Sequence, residues 1–423
     1  MFRFILASCK LSRCPGFDGL EDPSTLDKQV VNLYGLWRVD KKVIDRLVEL
    51  IHRVAPIAIR RVGGTIKIMD FCGTHEHSIV WNGIRSLMPE GVELVAGPGC
   101  PVCITPAYYV DIAIKFALEG IRVYTYGDAY RLPGSGRPFG DKGRPRSLEE
   151  ARALGGDVVV VYSFMDAVKH AKRDGKESVF LAVGFETTAP AVAAPLVNGV
   201  VPENLTIINV HRLTPPILRY TFERHRNAPI RGVIAPGHVS AVIGAKAWEF
   251  VPREYGVPTV VAGFEAHDIL LAIFHILAML AEGRPRLINE YKRVVRWEGN
   301  TVAQRYINEC CEVTDAAWRG LGFVPQSGLA FRDKYRRYDA MYQYGIKELT
   351  PEEWSYDLPP GCRCAEVTLG LAKPTDCPLF MKVCTPGTPY GPCMVSIEGT
   401  CSVWARFGGG GLADEIAREL GLA

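Results

Sequence analysis

This sequence has little net charge and no long uninterrupted apolar run. Its 49 Lys and Arg nearly balance 46 Asp and Glu, leaving +3 over 423 residues. So small an excess offers no basic surface for nucleic acid and no polybasic stripe for an anionic membrane, and neither is expected as a partner. The most apolar stretch, Ile269 to Ala281, is interrupted by His275 and is too short to span a bilayer, so it reads as a buried helix. The opening residues, MFRFILASCKLSRCPGF, lack the long apolar core and small-residue cleavage site of an export signal. They read as a poorly ordered extension over 1–32 in which Cys9 and Cys14 are incidental. The expected compartment is the cytoplasm, where thiols stay reduced unless they hold metal or do redox work.

Two further patterns are missing. The loop Gly134-Ser-Gly136 lacks the lysine pattern of a phosphate-binding loop. The C-terminal cysteines contain no paired CxxC knuckles of the structural zinc type. What is present is sulfur. The chain has 13 cysteines, and six of them follow Cys362-x-Cys364-x12-Cys377-x6-Cys384-x8-Cys393-x7-Cys401. A long chain with ample apolar residues does not need these as a disulfide scaffold. Prolines lie beside the thiols in Cys377-Pro378, Cys384-Thr385-Pro386 and Pro392-Cys393. Such turns keep the backbone irregular and let scattered thiolates converge. A [4Fe–4S] cluster needs four thiolates; the remaining two would suit disulfide chemistry beside it. Zinc and plain disulfides are the other uses open to six thiols.

From Gly64 to Glu265 a rhythm repeats: a β-branched apolar run, a glycine-rich or polar loop, then a helix-like stretch. The expected strands are Ile66–Met69, Glu93–Ala96, Arg122–Tyr126, Asp157–Tyr162, Val179–Val183, Thr206–Val210, Val233–Ala235 and Thr259–Val261. Apolar strands alternating with helices imply α/β architecture with parallel sheet covered on both faces. Eight strands permit a closed barrel. The preferred reading is two four-stranded units joined through Ala167–Glu177, with a faint echo between Val183-Gly-Phe-Glu186 and Ala262-Gly-Phe-Glu265. The expected organisation is 1–32 as extension, 33–63 as N-terminal helices packed on the cluster domain, and 64–170 and 171–284 as the two α/β domains. An irregular and helical domain carrying an iron–sulfur cluster fills 285–423. Lys41–Val54 has helix periodicity, Pro285–Cys311 reads as helix, and Asp414–Leu420 as a terminal helix.

The loops after the strands read CGTHEH, GPGCPVC, GD, YS, GFETT, HR, PGH and GFEAH. Polar, thiol and glycine residues thus gather at strand C-termini, where open parallel sheets bind ligands. In Cys72-Gly-Thr-His-Glu-His77, a cysteine at a strand end is followed by His75, Glu76 and His77. A thiolate beside imidazole is an activated nucleophile or a soft-metal ligand. Gly97-Pro-Gly-Cys-Pro-Val-Cys103 places a CxxC at a helix start, the arrangement of a redox dithiol at Cys100 and Cys103. Glu186, in GFETT, is a candidate proton acceptor or orienting group. His211 and Pro236-Gly-His-Val239 complete the set.

Together CGTHEH, GPGCPVC, GFETT, PGHVSAVIG and the array GCRC…DCPLF…VCTP…GPCMVS…EGTC resemble the HypD family of [NiFe]-hydrogenase maturation factors, from about Leu33 to Ala405. The resemblance implies two similar α/β domains and a third with a [4Fe–4S] cluster. It implies a scaffold, more than a free-standing enzyme, that builds the Fe(CN)2CO group with the small partner HypC. Cyanide would come from HypE, supplied by HypF, and the hydrogenase large subunit would receive the product. By resemblance the iron thiolate is Cys72, with His75 as helper and Cys100 and Cys103 as redox dithiol or additional iron ligands. The cluster ligands would be Cys362, Cys377, Cys384 and Cys401, with Cys364 and Cys393 as a neighbouring redox pair. The rival readings are a stand-alone cluster-dependent thiol–disulfide oxidoreductase and a zinc-stabilised interaction protein. Cys310-Cys311 falls outside the family pattern and reads as buried and apolar in role.

Overall fold

Each expected β-branched run becomes a parallel strand in the computed structural model, which describes residues 41–135, 145–224, 230–354 and 357–408. The N-terminal extension, with Cys9 and Cys14, and the expected helix at 414–420 lie outside the described residues. The strands are β1 (Ile66–Asp70), β2 (Val92–Ala96), β3 (Arg122–Thr125), β4 (Val158–Val160), β5 (Ser178–Gly184), β6 (Leu205–His211), β7 (Ile230–Pro236) and β8 (Thr259–Ala262). A further strand, β9 (Leu287–Asn289), follows them. They form two open sheets, of order β2-β1-β7-β8-β9 and β4-β3-β5-β6, with every pair parallel. The C-terminal region beyond them is largely helical and irregular and carries the cysteine array.

The strands do not assort as two consecutive fours. The chain builds β1 and β2, leaves to make the whole second sheet, and returns to the first with β7. The expected boundary at 170/171 therefore falls inside the second sheet, between β4 and β5. The physical reason is that a strand buried on both faces carries the same apolar run whichever neighbour it pairs with. The N-terminal helix also differs. Lys41–Val62 is longer than its periodic core and does not pack on the cysteine-rich region. It lies against the helix Ala266–Glu282 on one face of the first sheet, burying Leu47, Leu50, Ile51, Val54, Ala55 and Ala58. Pro285–Cys311 is not one helix: β9 and a loop precede a helix confined to Thr301–Cys310. An antiparallel hairpin, β10 (Cys311–Trp318) with β11 (Gly322–Phe331), was not anticipated. Cys310 and Cys311 are both buried at the helix-to-hairpin junction, as expected.

In both sheets the strand order reverses across a pair of parallel neighbours, between β1 and β7 and between β3 and β5. Crevices open at the carboxyl ends of such strand pairs. In this molecule the two crevices merge into a single cleft. The loop after β2 is pressed onto the end of β1: Gly97 donates its N–H to the Asp70 carbonyl at 2.8 Å. A Cβ on Gly99 would lie 1.6 Å from the Phe71 carbonyl oxygen and 2.8 Å from Cys72 Cα. Gly99→Ala is therefore expected to destabilise the fold by about 1–3 kcal/mol, read as a lowered urea midpoint with unchanged slope.

Candidate functional site

The cleft, of about 470 Å³, is lined by the loops after β1 to β7. Phe71, Cys72, Gly99 and Pro236 to Val239 come from the first sheet, and Tyr126, Asp128, Tyr162, Gly184 and Thr188 from the second. Ile397 and Glu398, from the cysteine-rich region, close one side.

Cys72 is the N-cap of the helix Gly73–Trp81, in extended conformation, with its carbonyl accepting from the Glu76 N–H at 3.0 Å. Its thiol is almost fully buried. Burial pushes the thiol pKa up to about 12, with the nearby Glu398 carboxylate adding to the rise. His75 is buried on the same helix. Its Nε2 lies 2.8 Å from the Gly263 carbonyl, so the ring donates there and leaves Nδ1 as an unpaired buried acceptor. Burial lowers its pKa to about 4, so the ring is neutral near pH 7. The ring of Phe264 lies between His75 and His238, with centroids 4.7 and 4.0 Å away.

Cys100 and Cys103 are joined as a disulfide. Its environment is shared with both thiol centres. Gly99 packs on the Cys72 backbone, and a Cβ on Gly399 would lie 3.2 Å from Cys103 Sγ and 2.2 Å from the Cys393 carbonyl oxygen. Cys100 and Cys103 belong to the same apolar core as Cys364, Cys384, Cys393 and Cys401.

In the cysteine array, the Sγ atoms of Cys364, Cys393 and Cys401 all lie within 4.8 Å of one another. Cys362 Sγ is 3.2 Å from Cys364 Sγ. Gly391 packs on that pair, since a Cβ there would sit 2.6 Å from Cys362 Sγ and 2.9 Å from Cys364 Sγ. The Gly391 N–H points to Cys384 Sγ at 3.4 Å. Cys377 stands at the edge, its Sγ 3.9 Å from the Gly361 carbonyl. Buried thiols converging in this way fit a soft metal centre. The array brings Cys362, Cys364, Cys384, Cys393 and Cys401 close and leaves Cys377 apart.

The segment Ser396 to Gly399 joins the parts. Ser396 Oγ donates to Asp128 Oδ2 at 2.9 Å, on the second sheet. Glu398 accepts from Thr74 Oγ1 at 3.1 Å, on the helix of Cys72. A Cβ on Gly73 would lie 2.3 Å from the Glu398 carbonyl oxygen. In the sequence, Glu398 stands out only as part of EGTC. Its place beside Cys72 had no local signal, because the bonded residues are 324 positions apart.

Glu186 stands differently from the thiols. It is buried, and its Oε1 accepts from the Thr214 N–H at 2.7 Å and Oγ1 at 3.2 Å, while Oε2 is unpartnered. Phe185 and Thr187 line the cleft and Glu186 does not. His211 pairs its Nδ1 with Asn209 Oδ1 at 2.7 Å and is likewise buried; burial lowers its pKa to about 3.

With this geometry in view, the comparisons are decisive. Residues 42–408 match the family model HypD, described as the hydrogenase formation hypA family. The chain belongs to the HypD family. A hydrogenase maturation factor HypD from Cupriavidus necator is 39% identical over 373 residues, covering 85% of this chain and 95% of that protein. The hydrogenase maturation factor HypD2 of Bradyrhizobium diazoefficiens is 40% identical over 352 residues, covering 81% and 89%. The general role of this HypD-family chain is hydrogenase maturation, and its cysteine cluster is a candidate metal site. Among the described residues no helix is long and apolar enough to cross a membrane.

Burial raises the Glu186 pKa from 4.5 to about 7, against the hydrogen bonds from Thr214. A raised carboxyl contributes stability that is complete below its unfolded pKa and is lost as pH rises through its folded one. Wild-type protein should therefore lose on the order of 2–3 kcal/mol relative to Glu186→Gln between pH 4.5 and about 7. Urea midpoints of both proteins across that range measure it.

Proposed function

We propose that this chain is a cytoplasmic scaffold on which the Fe(CN)2CO group of [NiFe]-hydrogenases is assembled together with a small HypC-like partner. The observation that carries this reading is the disulfide Cys100–Cys103, packed between the cleft cysteine Cys72 and the buried array. Cyanide would arrive from a HypE-like donor, charged by HypF, and the finished group would pass to the hydrogenase large subunit.

The iron is cargo, held by Cys72 and a thiol of the partner. Iron with cyanide and CO ligands is soft, and thiolate suits it. The Cys72 thiol is held protonated by burial, so it releases its proton only as the metal binds. His75 offers the unpaired Nδ1 as a nearby acceptor for that proton. Once charge sits in this buried cleft, polar groups on its walls act in a low dielectric and are strengthened.

The converging thiols and the Gly391 cradle suit a thiolate-held cluster such as [4Fe–4S]; the resemblance assigns its ligands to Cys362, Cys377, Cys384 and Cys401, whereas the three thiols within 4.8 Å of one another are Cys364, Cys393 and Cys401, and Cys377 stands at the edge. When bound, the cluster supplies single electrons. Cys364 and Cys393, both buried, then serve as the dithiol that exchanges with Cys100–Cys103. In that exchange the first pair loses two S–H bonds and gains an S–S bond, while the second pair undergoes the reverse. Reduced Cys100 and Cys103 stand next to Cys72, ready to keep the iron reduced or to ligate it.

The second reading, a stand-alone thiol–disulfide oxidoreductase, is favoured by the same disulfide, buried in a loop whose Gly99, Pro101 and Val102 line the cleft. Partner dependence separates the two. Anaerobic purification with a HypC-like protein should give a brown complex with cyanide and CO stretches in the infrared, and Cys72→Ala should abolish those stretches. The double variant Cys364→Ser, Cys393→Ser should keep the cluster absorption and lower hydrogenase maturation at least about ten-fold, the scale of lost redox supply to one step. Unchanged infrared bands in Cys72→Ala would place the iron elsewhere. Turnover of a disulfide substrate by the chain alone would favour the oxidoreductase.

A further inference from the structure

The two helices that begin at the thiol centres are locked together by one buried network. The first, Gly73–Trp81, starts at Cys72; the second, Thr400–Phe407, carries Cys401 in its first turn. Glu76 lies on the first helix and is 1% exposed. Trp404 lies on the second and donates its Nε1–H to Glu76 Oε1 at 2.5 Å. Arg85 donates from Nη2 to the other oxygen, Glu76 Oε2, at 2.6 Å. The Arg85 guanidinium also sits 5.1 Å over the Trp404 ring, which closes a triangle of contacts. Asp70, the last residue of β1, is 3.9 Å from the same guanidinium. Outside this triangle, Phe407 meets His77 and Trp81 edge-on, with centroids at 4.8 and 5.0 Å.

Both oxygens of a buried carboxylate are thus occupied, one by each side of the joint. Charge-assisted bonds of this kind are short and directional, and removing one partner leaves a buried acceptor unsatisfied. The maturation chemistry does not use this network directly. Its geometry acts on the axis of the Cys72 helix, where displacements of about 1 Å matter for reactivity.

We infer that Trp404 is a positioning residue for the Cys72 site: through Glu76 it fixes the helix that starts at Cys72 against the helix that carries Cys401. This rests on the reading of Cys72 as the thiol that carries iron. Trp404→Phe keeps an aromatic ring beside Arg85 and removes the N–H together with the five-membered part of the indole. In the purified full chain, alkylation of Cys72 by iodoacetamide, mapped by mass spectrometry, should accelerate at least about ten-fold in this variant, the scale of one lost hydrogen bond to a buried charge. Glu76→Gln, which breaks the Arg85 side, should act in the same direction. The double variant should be no faster than the faster single, because both loosen one joint. Leu196→Ala, in the remote core of the second sheet, serves as a control for general destabilisation.

An unchanged Cys72 rate in Trp404→Phe overturns the inference. So does an equal acceleration in Leu196→Ala, or strictly additive effects in the double variant. Should Trp404→Phe not accumulate, the Glu76→Gln rate decides in the same way. Maturation by Cys72→Ala tests the iron reading separately. If that variant still matures hydrogenase, the iron reading falls while the alkylation rates still decide the joint.

Discussion

Three glycines allow backbone to meet backbone where side chains would hold the segments apart. Gly99 lies on the Phe71–Cys72 peptide, Gly73 under the Glu398 carbonyl, and Gly399 between the Cys393 carbonyl and Cys103 Sγ. A Cβ at any of them would fall at a separation that packed atoms do not reach. The rest of the arrangement depends on these approaches. They press a strand end of the first sheet against the CxxC loop, which shares one apolar core with the C-terminal array, and they set Ser396–Gly399 as the bridge to Asp128 in the loop after β3.

Burial then sets the chemistry. Low dielectric disfavours charge, so the Cys72 thiol and the Glu186 carboxyl move up and the His75 and His211 imidazoles move down. The site at rest is close to neutral. A metal cation bound at Cys72, as proposed, would reverse that preference there, because its own charge would outweigh the desolvation that keeps the thiol protonated. Beside it, the Glu76–Arg85–Trp404 joint holds a buried carboxyl group with a partner at each oxygen.

Much of this was legible in the residues. Eight of the nine strands in the two sheets, β1 to β8, fall where β-branched runs stand, and the loops after β1 to β7 line the cleft as the gathering of polar and thiol residues at strand ends implied. Cys72 lines it, while Cys100 and Cys103 are buried in the loop after β2. What failed were statements about partners. The halves 64–170 and 171–284 gave way to a sheet that takes β1 and β2 from one and β7 and β8 from the other. The helix Lys41–Val62 went to the first sheet, not the cysteine-rich region. The strand β9 sits inside the stretch read as helix from Pro285 to Cys311, and the hairpin β10–β11 follows in a stretch read as irregular.

The sequence by itself determined the positions of β1 to β8, the thiol-bearing loops and the family. Those rest on local period, local turn chemistry and motif order, which need no knowledge of what lies across the fold. Only the tertiary structure decided which strands share a sheet, that Glu398 stands beside Cys72, and that Trp404 reaches Glu76 across 328 positions. Contacts of that range leave no periodic trace in either segment. They exist because the close glycine packing and the shared apolar core bring the segments together.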